Sequence, residues 1–97
     1  MKSTFKTLEQ AIQAGEYHPE ILSGFEEWNE LSRIMQFHLI RKACDIRHRD
    51  LVAQYAEVTN VLDFSKKPEL KIVLDNIQRS IHELAAEKEK LYVEYSS

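Results

Sequence analysis

Between Phe25 and Leu62 the chain contains neither glycine nor proline. Gly15, Gly24 and Pro19 precede this stretch, and Pro68 follows it. Strands joined by tight turns need such punctuation, so the pattern argues against a β fold and for long uninterrupted helices. Read as one helix, residues 24–62 would extend roughly 57 Å at 1.5 Å per residue. Asp50 is suited to capping a restart, which places the expected kink near residue 50.

The flanking segments are helical as well. Thr7 is an N-cap, Gln10 stands at the capping-box position and Gly15 is a C-terminal stop, so a short helix is expected over 7–15. Pro19 suits a first helical turn, where its missing N–H costs nothing. Ser23 and Glu26 repeat the capping-box spacing and open the long helix at Gly24. Whether residues 19–22 join that helix or form a separate turn stays open. After the loop DFSKKPE, Pro68 begins a last helix over 68–95.

The last helix carries Leu70, Leu74, Ile77, Ile81, Leu84, Lys88, Leu91 and Tyr95 in alternating steps of four and three, a heptad pattern broken only by Lys88. The middle helix has a matching line: Ile34, Phe37, Arg41, Cys44, His48, Leu51, Tyr55, Val58 and Leu62. A short loop makes the two antiparallel, which sets Tyr55 near Ile77, Leu51 near Ile81 and Cys44 near Lys88. A second stripe, Trp28, Leu31, Met35, Leu39, Ala43 and Ile46, needs another cover. The short helix, with Phe5, Leu8 and Ile12, covers part of it, and a second copy of the chain would cover the rest. The expected fold is therefore one all-α domain over residues 1–97. It comprises a long antiparallel helical hairpin and a short N-terminal helix, in a bundle completed by oligomerisation.

Charge is banded along the chain. From Glu9 to Glu30 there are six glutamates and no lysine or arginine, whereas residues 33–49 hold Arg33, Arg41, Lys42, Arg47 and Arg49 against Asp45 alone. Such bands pair within a molecule or between subunits. With a net charge of −3, the chain lacks the positive excess of a nucleic-acid binder, and no nucleic-acid partner is expected. No apolar run suits a secretory signal or a membrane span, and a single cysteine makes no internal disulfide. A soluble, cytoplasmic protein is expected.

Residues 33–50, RIMQFHLIRKACDIRHRD, concentrate the reactive side chains. Cys44 and His48 share a helix face with Asp45 nearby. That is half of a zinc site where a closed site needs four ligands and a catalytic one three, so no metal or other cofactor is expected. The segment from Arg33 to His38 resembles the arginine, apolar residue, three residues, histidine motif of HEPN ribonucleases. The resemblance implies metal-independent RNA cleavage at a subunit interface, with Arg33 holding phosphate and His38 moving a proton. Arg41 and His48 satisfy a looser form of the motif. FEEWNE, with Glu26, Glu27 and Glu30, resembles the first acidic motif of MazG-like nucleotide pyrophosphohydrolases, which implies bound magnesium. The downstream partner departs from that family, because Asn60 stands after Glu57 where an aspartate belongs.

The primary expectation is a non-catalytic helical protein–protein interaction module: an adaptor, regulator or assembly subunit that associates with itself or with another helical protein. Its expected contact residues are Trp28, Leu31, Met35 and Leu39, with Arg41, Arg47 and Arg49 at the rim. The HEPN-like ribonuclease is the alternative.

Overall fold

The computed structural model describes residues 5–61 and 66–96. They form five helices: α1 (Leu8–Gln13), α2 (Pro19–Leu22), α3 (Glu26–Glu30), α4 (Arg33–Thr59) and α5 (Pro68–Ser96). No strand occurs among the described residues. The two long helices pack antiparallel, and the short helices lie to one side of them. Leu62 and the loop residues 63–65, where the expected long helix ends, lie outside the described residues.

The single helix expected over 24–62 is instead two helices, broken at Leu31 and Ser32 rather than at Asp50. Leu31 is extended, with φ −80° and ψ 149°. Ser32 caps α4 by accepting a hydrogen bond from the Met35 amide at 3.2 Å, and the Gln36 side-chain amide donates to the Trp28 carbonyl at the end of α3. The serine satisfies a first-turn amide of α4 that has no intrahelical partner, and the glutamine adds a second donor to a carbonyl that already accepts from the Leu31 amide. The break lets α3 swing away from the α4 axis and sink Trp28 into the core, where it is 3% exposed. Beyond the break, α4 runs through Asp50 without interruption.

The N-terminal capping is partly as expected. The Thr7 hydroxyl accepts from the Gln10 amide, and Gln10 answers by accepting from the Lys6 amide. Ser23 does not cap α3; it closes α2, its hydroxyl donating to the Glu20 carbonyl. Gly15 ends the α1 turn at φ +83° and presses against α4. A Cβ there would lie 3.1 Å from the Arg47 Cβ and 3.2 Å from its Cα.

Contacts across the α4–α5 seam fall within a few positions of the expected pairing. The Gln78 amide reaches the Tyr55 hydroxyl at 3.4 Å, Lys88 approaches Asp45 at 3.8 Å, and Phe37 meets Tyr92 edge-on. Leu51, Ile77 and Leu84 fill the seam. Three seam assignments fail: Ile34 is 70% exposed, and Arg41 and His48 face outward. The fully buried Ile40 belonged to neither expected stripe. On a 100°-per-residue wheel Ile40 falls between Cys44 and Ala43, and both are buried too. With α5 on one flank and the N-terminal segment on the next, the α4 core is one broad arc, and the position midway between the partners is the most enclosed. Leu8, Ala11, Ile12, Tyr17, Leu22 and Trp28 complete this core. The second stripe is thus covered largely by the chain's own first thirty residues.

Candidate interaction surfaces

The N-terminal segment is fastened to α5 by a polar cluster. The Tyr17 hydroxyl donates to Glu87 at 2.6 Å, and its ring stacks on the His18 imidazole. His18 pairs through Nδ1 with Glu16 at 2.6 Å and through Nε2 with Glu87 at 3.3 Å. Burial disfavours a charged imidazole. The hydrogen bond that the imidazole donates to Glu16 and the charges of Glu16 and Glu87 outweigh it, so the His18 pKa stands above its ordinary value. Burial, then the Glu87 hydrogen bond and charge, push the Tyr17 hydroxyl upward, and it stays neutral.

Three surface features lie around this frame. The first is a cleft of about 330 Å³ between α1, α3 and α4, with Leu8, Ile12, Leu31 and Leu39 in its walls and Glu9 and Glu27 at its edge. A second cleft, of about 450 Å³, is basic: His38, Arg41, Lys42 and Arg49 line it with Asp45 and Ile46. Gln13 and Lys42 belong to both, so the two clefts adjoin. On the other flank of the hairpin, a mainly apolar groove of about 500 Å³ is bounded by Phe37, Ala85, Tyr92 and Val93. Val93 is 67% exposed, and Ile34 stands one helical turn from Phe37.

The charge bands come together at the first cleft, where Lys42 lines the same space as Glu9 and Glu27. Among the described residues, no lysine or arginine of 33–49 forms an ion pair with a carboxylate of 9–30. Arg41 leans toward the Phe37 ring, at 5.9 Å.

The expected contact residues divide three ways. Trp28 is a core residue, because the break at Ser32 folds it inward, and it offers no surface. Leu31 and Leu39 are half-buried in the wall of the first cleft, and Met35, 47% exposed, lies one turn before Leu39. Arg41 and Arg49 line the basic cleft, while the Arg47 backbone lies under Gly15. Sequence reading missed the part played by Gln13 and Lys42. Lys42 sits three residues after Leu39 and four before Ile46, a spacing that puts its stem on their face.

The reactive residues are not gathered. Five helical positions separate Arg33 from His38, which turns them about 140° apart on α4. Arg33 is engaged with the end of α5: its guanidinium donates to the Glu94 carbonyl at 2.7 Å and lies 4.6 Å over the Tyr95 ring. His38 shares its cleft with Arg41 instead. Cys44 is fully buried and its thiol is pushed up to about 11 by that burial, while His48 faces outward. Glu57 lies roughly 36 Å along α4 from the helix start, far from Glu26, Glu27 and Glu30 on α3. Among the described residues, no group of three His, Cys, Asp or Glu side chains is arranged to hold a metal ion. No described helix is long and apolar enough to cross a membrane.

No family model, curated protein or solved structure compared with this chain matches it.

Proposed function

We propose that this chain is a small non-catalytic helical interaction module that associates with itself, working as an adaptor, regulator or assembly subunit in a reducing, cytoplasmic setting. One observation carries the reading: large apolar side chains stay uncovered on a frame whose own core is filled. Met35 is exposed and Leu31 and Leu39 are only half-buried, although Leu22, Ile40 and Cys44 are fully enclosed. Uncovered apolar surface of this kind marks interaction sites. Leu31, Met35 and Leu39 supply the apolar contact, with Arg41, Arg47 and Arg49 as the charged rim that selects the partner. Trp28 contributes from beneath, by fixing the position of α3.

The test is molar mass by light scattering after size exclusion. The wild type is expected at twice the chain mass and Met35→Glu at the single mass. Met35 is exposed, so its replacement leaves the core intact. A monomeric wild type, or a Met35→Glu particle of unchanged mass, refutes self-association through this face.

One observation favours the ribonuclease reading: His38 lies in a cleft with three cationic side chains able to hold phosphate. Incubation with RNA in EDTA tests it. Absence of cleavage, or cleavage that survives His38→Ala, rules it out.

A further inference from the structure

The two adjoining clefts have a property that neither has alone. Travelling around the molecule, one meets carboxylates (Glu9 and Glu27), then apolar side chains (Leu31 and Leu39), then cations (Lys42 and Arg49). The cations have no carboxylate partner in the 9–30 band of their own chain among the described residues. A two-fold axis through the apolar strip of Leu31 and Leu39 sets acid against base on both sides and apolar strip against apolar strip. Two-fold interfaces are self-complementary in this way. A single-sign surface repels its own copy across such an axis, whereas this ordering attracts it.

Resting on the self-association reading above, the geometry points to an isologous dimer in which the Glu9 and Glu27 edge of each chain faces the Lys42 and Arg49 edge of its partner. From Met35 to Arg49 the strip runs roughly 21 Å along α4. The pairing accounts for the lack of ion pairs between the two edges within the described residues of one chain: each edge is the other's partner in trans. It also commits the basic cleft to protein carboxylates rather than to a polyanion.

Complementary charge reversal tests the pairing. Arg49→Glu and Glu27→Arg both change exposed side chains, and circular dichroism confirms that each variant is folded. Each alone is expected to weaken the dimer at least about tenfold, and an equimolar mixture is expected to recover the dimer as a heterodimer. Wild-type dimer that loosens as salt rises from about 0.05 M to about 1 M gives a second readout that requires no substitution. A dimer that both variants preserve, or a mixture that fails to recover, overturns the charge pairing while self-association stands. A wild type that is monomeric at every concentration overturns both. A monomer that binds labelled RNA and loses it on Arg49→Glu overturns the pairing in favour of a nucleic-acid ligand.

Discussion

Replacing Gly15 by alanine probes the contact that seats the N-terminal segment on α4. Two costs combine. At φ +83° an alanine sits in the left-handed region, at roughly 1–2 kcal/mol. Its Cβ would also stand 3.1 Å from the Arg47 Cβ, 3.2 Å from the Cα and 3.3 Å from the backbone nitrogen. Those atoms belong to the middle of a 27-residue helix and cannot retreat singly, so overpacking adds roughly 1–3 kcal/mol. The sum is about 2–5 kcal/mol, equivalent to a fall in Tm on the order of 10–40 °C for a domain of this size. Urea denaturation followed by circular dichroism measures it directly. Gly24→Ala is the internal control, because Gly24 lacks a positive φ and its added Cβ would meet only the Ile21 carbonyl, at 3.2 Å. Equal losses for the two variants, within about 0.5 kcal/mol, would refute the argument that Gly15 is held by backbone conformation and close approach to α4.

Ile40→Ala empties the most enclosed position on α4 and is expected to cost about 2–5 kcal/mol by denaturation; a loss below about 1 kcal/mol contradicts the single-arc core. The His18 pKa is raised by its carboxylates, so their stabilisation is complete below the ordinary imidazole pKa and is lost as pH rises through the folded-state value. Glu87→Gln keeps an acceptor for Tyr17 but removes the charge, so its deficit in Tm is expected to be larger near about pH 6 than near about pH 8.5. A deficit that grows with pH contradicts the assigned charge pairing. Cys44 is enclosed and its thiol is raised to about 11, so a thiol reagent at neutral pH is expected to react only as fast as the protein opens. Labelling as rapid in native buffer as in urea contradicts its burial.

The helical hairpin was legible because its signals are local and repeated. Leu74, Ile77 and Leu84 recur at heptad spacing on α5, Pro68 marks its start, and all three leucine and isoleucine side chains are buried as that pattern requires. On α4 the apolar residues surround the helix, because it has partners on two flanks, so dividing them into two stripes misplaced Ile34 and overlooked Ile40. The break at Ser32 was hidden for another reason. It needs no glycine or proline, only a serine hydroxyl and a glutamine amide that pair with the backbone on either side, and Ser23 offered a more familiar capping pattern nearby. The basic cleft was half visible. Its arginines stood out in the charge band, but the contribution of Gln13 depends on how α1 lies across α4, which periodicity does not encode. Trp28 looked like an anchor because large aromatics favour interfaces, yet its burial follows from a chain reversal three residues later.

The tie between Tyr17 and Glu87 closes a span of 70 residues, and Arg33 to Glu94 one of 61, whereas Tyr55 and Gln78 are only 23 apart. Closing a longer span costs more chain entropy, by about 0.6 kcal/mol per doubling. The hairpin is therefore expected to assemble outward from its connected end, with the N-terminal segment docking last. That segment carries Glu9 and Glu27, so the acidic half of the contact face exists only once the final docking step is complete. A second copy seated there would hold the segment down by mass action. The last step of folding and the first step of assembly would then be a single equilibrium, set by how much of the chain is present.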